Sequence, residues 1–203
     1  TASADSTSCV VNTKLIQTFS NRTVTSISVD PNNADALLVT LGNYGNANYV
    51  YYSTNALADE VVFTAKQGNL PPMPVYASLI LLNRADTVLI GTEYGLFSTS
   101  AISAANPQWT SENSESLDPV PVLMIRQQTA DVPNVKNKGV IYVATHGRGV
   151  FRSDIFKEAD PVAIRTDAVK PTIRMYPNPV STYITIEQSH LQYSQCVLTI
   201  INM

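Results

Sequence analysis

Three stretches of the sequence share one pattern, and this shared pattern decides the fold. They read VTSISVDPNNADALLVTLGNYGNANYVYYSTN (residues 24–55), VYASLILLNRADTVLIGTEYGLFSTSA (75–101) and VLMIRQQTADVPNVKNKGVIYVATHGRGVFRSD (122–154). Their first valines lie 51 and then 47 residues apart. Each stretch begins with a strand-like apolar run, passes through a turn to a second run, and continues through a glycine-bearing turn into a third.

The runs recur in the same order in every stretch. The second runs are residues 37–40, 88–91 and 141–144, and the third runs are residues 49–53, 96–98 and 150–153. A weaker fourth run follows in the first two stretches, at residues 61–64 and around Trp109, before proline-rich connectors at 70–74 and 117–121. Four short antiparallel strands in about 45–50 residues are typical of β-propeller blades, which bury their faces by stacking on neighbours.

Three blades do not close a ring, because propellers typically need four or more. Residues 14–19 predict a further strand, which would be the outer strand of a preceding blade. We therefore expect the chain to be a C-terminal piece of a larger protein.

Short polar side chains take the place of charged ones. Charged residues make up 14% of the 203 residues, below the roughly 25% of an ordinary soluble domain. Serine, threonine and asparagine number 18, 20 and 16, and they favour turns and exposed strand faces over helix surfaces. With 44% hydrophobic residues available for a core, we expect an all-β protein.

Charge, hydropathy and cysteine content exclude several classes of function. A net charge of −3 and a pI near 5.3 argue against nucleic-acid binding, which needs clustered lysine and arginine. No apolar run approaches the roughly 18 residues of a membrane-spanning helix. Cys9 and Cys196 lie near opposite ends, and no Cys/His cluster predicts a metal site. No motif indicates a cofactor.

Three segments of the sequence resemble the last blades of sortilin-type, Asp-box (BNR-like) β-propellers. They are ATHGRGVF (144–151), VTSISVDPNNADALLVT (24–40) and LPPMPV (70–75). The resemblance covers about residues 14–154. Bacterial members of this group include secreted proteins and the propellers of xyloglucan-cleaving hydrolases. The Asp-box turn itself is degraded, because Ser53-Thr54-Asn55 has asparagine in place of the aspartate.

The composition changes after residue 154. Residues 155–171 are charged and irregular and contain Pro161 and Pro171, which predicts a linker between the propeller part (1–154) and a tail module (172–203). In the tail, residues 183–186 alternate like a half-buried strand, and residues 196–201 predict a second strand.

The tail segment YPNPVSTYITIE (176–187) resembles the opening of the type A C-terminal sorting domain of the type IX secretion system. The resemblance implies the start of a small β-sandwich, with the type IX machinery as a partner and a secreted or outer-membrane-associated location. An adhesion module, such as a carbohydrate-binding or immunoglobulin-like sandwich, is the alternative. The predicted sorting signal is Tyr176, Pro177, Asn178 and Pro179.

The glycine-bearing turns carry the candidate binding residues. In the usual order of a blade, the turn between the second and third strands shares a face with the connectors between blades. Aromatic rings suit the apolar faces of sugars, and planar polar groups suit sugar hydroxyls. The same residue types are also ordinary in hairpin turns. The candidate ligand-binding residues are Asn43, Tyr44, Glu93, Tyr94, Asp118, His146 and Arg148.

The sequence assigns no catalytic residue. No nucleophile motif surrounds His146, which reads as a turn residue beside Gly147 and Gly149. Glycosidase chemistry needs two carboxylates across a sugar bond, and no motif pairs Asp30, Glu93, Asp118 or Asp154. We therefore expect a secreted cell-surface binding or scaffold module for polysaccharide or protein. The alternative is the terminal part of a xyloglucanase-like glycoside hydrolase.

Overall fold

The computed structural model of the chain describes residues 13–132, 134–157, 173–176, 182 and 185–188. The chain divides into two units, Thr1–Glu158 and Ala159–Met203. Throughout the described residues the regular secondary structure is β, and every strand pairing is antiparallel. The all-β prediction is therefore confirmed. No helix in that part of the chain has the length and apolar composition to cross a bilayer.

The first unit contains three sheets that repeat one topology. The strands of the first sheet, in order, are β1 (Val24–Asp30), β2 (Asn33–Leu41), β3 (Val50–Ser53) and β4 (Thr64–Ala65). Those of the second are β5 (Val75–Leu81), β6 (Arg84–Thr92), β7 (Gly95–Thr99) and β8 (Thr110–Ser111). Those of the third are β9 (Val122–Gln127), β10 (Ile141–Thr145) and β11 (Gly149–Ser153).

The first strands of the three sheets lie side by side. β1 packs on β5, and β5 packs on β9. Serine hydroxyls of β1 accept backbone hydrogen bonds from β5, since Ser26 Oγ binds the Ser78 N–H at 3.1 Å and Ser28 Oγ binds the Ile80 N–H at 2.9 Å. Four-stranded antiparallel sheets packed through their first strands have the arrangement of propeller blades. The prediction of a partial β-propeller is thus confirmed.

Two apolar cores lie between neighbouring sheets. The core between the first and second sheets is built around Leu38, Tyr49, Ile90 and Trp109. The core between the second and third sheets includes Leu81, Leu89, Ile125 and Ile141. Burying one such side chain contributes about 1.5–3 kcal/mol. Because most of this area is buried between sheets, each blade depends on its neighbour for stability.

Polar residues shape the turns between the first and second strands of the first two sheets. Asp30 Oδ1 accepts the Asn32 N–H at 2.8 Å, which closes the turn between β1 and β2. In the equivalent turn of the second sheet, Asn83 has a φ of 61°, a left-handed conformation that asparagine tolerates. Asp30 is therefore a structural residue.

The prediction of a strand at residues 14–19 is wrong. The described residues 13–19 are irregular, and Phe19 packs its ring on Tyr51 with 5.0 Å between the ring centroids. Lys14 Nζ donates to the carbonyl oxygens of Ala58 at 3.1 Å and Asp59 at 2.7 Å. This segment therefore bridges to the loop between β3 and β4, rather than adding a strand.

Lys66 repeats the bonding pattern of Lys14 one blade later. Lys66 Nζ donates to the carbonyl oxygens of Ser103 at 3.2 Å and Ala104 at 2.7 Å, in the loop between β7 and β8. Lys66 is buried, with 6% of its surface exposed. The two lysines therefore occupy equivalent places in the repeat.

The fourth strand of the first sheet is shorter and begins later than predicted. It comprises Thr64–Ala65, whereas residues 61–64 were expected. Asn55 explains the shift, because its Oδ1 accepts the Val62 N–H at 2.9 Å and its Nδ2 donates to Glu60 O at 2.9 Å. Residues 60–62 therefore belong to a loop that Asn55 organises. In the second sheet, β8 follows Trp109 directly, as predicted.

The first strands of the first and third sheets, β1 and β9, expose apolar side chains. On β1, Val24, Ile27 and Val29 are between 44% and 62% exposed, and on β9 Leu123 and Met124 are about half exposed. These are the uncovered faces expected when three blades do not close a ring.

The second unit has one described strand pair. β12 (Ile173–Tyr176) and β13 (Thr185–Gln188) are antiparallel, with Tyr176 opposite Thr185. β13 overlaps the strand predicted at 183–186 and extends further, to Gln188. Residues 177–179, the strand predicted at 196–201 and both cysteines lie outside the described residues.

Candidate functional site

The glycine-bearing turns lie beside the connectors, as the repeat predicted. In the first sheet, the Gly42 N–H donates to Thr23 O at 2.8 Å. In the second, the Glu93 N–H donates to Pro74 O at 3.1 Å, and in the third the His146 N–H donates to Pro121 O at 2.8 Å. We call the surface formed by these three turns and the adjoining connectors the turn face.

Three side chains from two sheets meet on the turn face. Tyr44 comes from the β2–β3 turn, Tyr76 is the second residue of β5, and Glu93 lies in the β6–β7 turn. The Tyr76 hydroxyl donates to Glu93 Oε2. The Tyr44 phenol lies close enough to both other side chains for them to affect its pKa. Glu93 and Tyr76 are half-buried, whereas Tyr44 is 66% exposed and leaves its ring open to solvent.

Burial and the neighbouring Glu93 raise the pKa of both phenols. Desolvation, followed by the hydrogen bond to Glu93 and its negative charge, raises the pKa of Tyr76 well above its usual range. Desolvation and the charge of Glu93 also raise the pKa of Tyr44. The cluster therefore combines one carboxylate with two hydroxyl donors and an exposed aromatic ring. This set can bind a polar ligand that also has an apolar face.

The sequence prediction included Tyr44 and Glu93 but missed Tyr76. Tyr76 follows the connector 70–74 directly, and its neighbour Val75 is fully buried. Because successive side chains of a strand point to opposite faces, the buried Val75 leaves Tyr76 pointing out toward the turn. Extending the candidate set from the connector to the second residue of the strand would have found it.

A second polar feature of the turn face is an ion pair. Arg148 in the β10–β11 turn donates to Asp118 Oδ2 in the preceding connector. Both side chains are more than 40% exposed, so solvent screens much of their attraction. This pair brings together two of the predicted site residues. His146 contributes its backbone N–H to Pro121 O in the same region.

The remaining candidates differ in role. Asn43 has a φ of 69°, and its Oδ1 accepts the Thr23 N–H at 2.9 Å. Its side chain therefore shapes the turn, which agrees with the hairpin interpretation. Tyr94 is 61% exposed, and its backbone N–H donates to Thr92 Oγ1 at 3.0 Å. The side chain of Tyr94 is therefore available on the surface.

A cavity of about 460 Å³ lies by the β3–β4 loop, at the other end of β3 from the turn face. Lys66, Tyr52 and Thr64 contribute to its lining. Desolvation lowers the pKa of Lys66. Since the ammonium already donates to two carbonyl groups and Lys14 repeats this arrangement, Lys66 is a structural residue.

Comparison with known proteins gives distant structural similarity. No family model and no curated protein matches the sequence. Among solved structures, the chain is similar to a GH74 xyloglucanase from Xanthomonas campestris, with a TM-score of 0.43 and 17% identity over 75% of this chain and 25% of that one. The chain thus spans about a quarter of that enzyme's length. Our description of the blades rests on the sheets and their packing alone.

Proposed function

We propose that the first unit is a non-catalytic binding module that presents the turn face to a carbohydrate. The observation that carries this proposal is the convergence of Tyr44, Tyr76 and Glu93 from two different sheets. An exposed tyrosine ring provides a stacking surface for a sugar, and the adjacent carboxylate and phenol supply an acceptor and a donor for its hydroxyls. The exposed Tyr94 extends the same surface.

The bonding of the carboxylates favours binding over hydrolysis. Glycoside hydrolysis requires an acid and a second carboxylate on opposite sides of the scissile bond, about 5–10 Å apart. Each of the four acidic residues considered from the sequence has a partner: Asp30 binds the Asn32 N–H, Glu93 binds Tyr76, Asp118 binds Arg148, and Asp154 binds Arg152. We therefore assign no catalytic role to these four residues.

The tail supports a proposal about location. Tyr176-Pro177-Asn178-Pro179 resembles the opening of the type IX sorting domain. We propose that the tail directs export of the protein to the cell surface through the type IX machinery. The binding module would then meet polysaccharides outside the cell.

Titration calorimetry with soluble hexasaccharides tests the binding proposal. We expect the 203-residue chain to bind at least one of them without releasing reducing ends. Tyr44→Ala should weaken this binding by about tenfold or more, because it removes the stacking ring.

The matched control is Leu57→Ala, which removes an equally exposed apolar side chain (72% exposed) from the β3–β4 loop. It should leave the affinity unchanged. Binding that is insensitive to Tyr44→Ala would overturn the assignment of the site, and release of reducing ends would favour the hydrolase alternative.

A further inference from the structure

The net charge of the Tyr44–Tyr76–Glu93 cluster determines whether it favours cationic, neutral or anionic sugars. Glu93 is the one charged group in the cluster, and both phenols beside it are neutral donors. The Tyr76 hydroxyl donates to Glu93 Oε2. Among the described residues, no lysine or arginine forms an ion pair with Glu93.

The nearest arginines of the turn face are engaged elsewhere. Arg22 donates to Gly42 O at 3.2 Å and to Asn48 O at 3.1 Å, and its guanidinium lies 4.8 Å from the ring centroid of Tyr49. Arg148 is paired with Asp118. The Glu93 carboxylate thus accepts a hydrogen bond from a neutral hydroxyl and has no ion-pair partner among the described residues.

Such a site attracts cations in two ways. A carboxylate that accepts phenolic hydrogen bonds still has free lone pairs for an ammonium donor. The exposed ring of Tyr44 adds a negative π face, which also favours a cation. An anionic ligand meets a like charge and gains neither interaction.

We propose that the turn face selects amino sugars, with the protonated amine of one residue at Glu93 and the sugar ring stacked on Tyr44. This inference rests on the proposed carbohydrate binding and names its ligand class. Neutral sugars bind more weakly because they lack the charge-assisted hydrogen bond. Uronic acids are excluded because their carboxylates face Glu93.

Three hexasaccharides of similar size, one cationic, one neutral and one anionic, separate the effect of ligand charge from that of ring stacking. We would measure binding of a β-1,4-glucosamine hexamer, cellohexaose and a galacturonic acid hexamer in mildly acidic, low-salt buffer, where the sugar amines are protonated. We expect the glucosamine hexamer to bind about tenfold or more tightly than cellohexaose, and the galacturonic acid hexamer to bind least. Added salt should weaken only the binding of the glucosamine hexamer.

Glu93→Gln tests the carboxylate directly, because it keeps the size and most hydrogen bonds of the side chain but removes the charge. It should bring the affinities for the glucosamine hexamer and cellohexaose within about twofold of each other. The control is Glu60→Gln, which removes an exposed carboxylate from the β3–β4 loop and should preserve the difference.

The outcomes distinguish this inference from the proposal on which it depends. If cellohexaose or the galacturonic acid hexamer binds as tightly as the glucosamine hexamer, the selectivity for amino sugars is wrong while carbohydrate binding stands. A preference that survives Glu93→Gln also overturns the role of Glu93. If none of the three binds, the proposed carbohydrate binding itself fails.

Discussion

The side-chain amide of Asn69 binds both backbone polar groups of Trp109, forty residues further along the chain. Asn69 Oδ1 accepts the Trp109 N–H at 2.6 Å, and Asn69 Nδ2 donates to Trp109 O at 3.0 Å. The amide thus takes the place of a neighbouring strand. It joins the segment after β4 to the segment before β8, where the Trp109 ring is buried between the first two sheets.

Removing this amide should destabilise the first unit. Asn69→Ala leaves two backbone groups of a buried residue without their partners, and an unsatisfied buried group costs about 1–3 kcal/mol. We expect the free energy of unfolding to fall by about 2–3 kcal/mol, measured by urea denaturation with tryptophan fluorescence. Trp109 is the one tryptophan of the chain, so the signal reports on this interface.

Asn33→Ala is the matched control for Asn69. Its exposed side chain accepts one local hydrogen bond, from the Asp35 N–H at 3.1 Å. We expect a loss well below that of Asn69→Ala. Equal losses for the two variants would mean that the bonds to Trp109 add no stability of their own.

Gly91 should not tolerate a side chain, because β9 of the next sheet lies too close. A Cβ at Gly91 would lie 2.5 Å from a side-chain carbon of Val122 and 2.6 Å from its backbone oxygen. Since a backbone atom is involved, the two sheets would have to separate. We expect Gly91→Ala to destabilise the first unit by about 1–3 kcal/mol or more in the same denaturation assay.

Gly147→Ala separates this steric effect from a conformational one. Gly147 has a φ of 78°, and no heavy atom lies within 4 Å of a Cβ placed there. Its substitution should lower stability only by the roughly 1 kcal/mol of a left-handed backbone. If Gly91→Ala lowered the free energy of unfolding no more than Gly147→Ala does, the close contact of β6 with β9 would be disproved.

The repeat predicted the blades because each strand is encoded by its own apolar run and bounded by its own turn. Leu38 and Leu89, for example, occupy matching places in the second strands of two sheets, and both are buried. The segment 14–19 failed as a prediction because an apolar pattern is not enough for a strand. Its course depends on Lys14, whose bonds to the carbonyls of Ala58 and Asp59 are not visible in a linear sequence.

The site was predictable only in part for the same reason. Tyr44 and Glu93 stood out because they lie in glycine-bearing turns. Their contact with Tyr76 depends on how the first sheet packs on the second, and no motif within one repeat encodes that packing. Pairing of Arg148 with Asp118 likewise joins a turn to a connector thirty residues away.

The raised pKa of Tyr76 predicts a loss of stability in alkali. The unfolded chain loses its phenolic proton near pH 10, whereas the folded protein keeps it to higher pH. Above pH 10 the folded state therefore binds more protons, and stability falls as the pH rises. In urea titrations between about pH 8 and pH 11, Tyr76→Phe should show a shallower fall than the wild type.

Glu93→Gln provides an independent test of the same cause, because it removes the charge that helps to raise the pKa of Tyr76. Its stability should also decline less steeply above pH 10 than that of the wild type. Parallel curves for the wild type and Tyr76→Phe would show that this phenol does not contribute to the pH dependence.

The tail provides a prediction about export that is independent of the binding site. Two prolines at 177 and 179 restrict the backbone between Tyr176 and the second described strand. Because proline fixes its own φ, a segment with two prolines has less conformational entropy to lose on binding a receptor. We therefore expect residues 176–179 to act as part of a sorting signal that the type IX machinery recognises.

A periplasmic fluorescent reporter fused to the complete natural tail, from residue 155 onward, tests this expectation in a host with the type IX system. We expect the reporter to reach the cell surface or the medium. Export should cease when the translocon is deleted or when residues 176–179 are all changed to alanine. Changing Lys157, Glu158, Asp160 and Arg165 to alanine is the control, because it alters four residues of the predicted linker and should leave export intact. A reporter that stays in the periplasm while its tail binds polysaccharide would instead support an adhesion module, since a sorting signal does not require a sugar ligand.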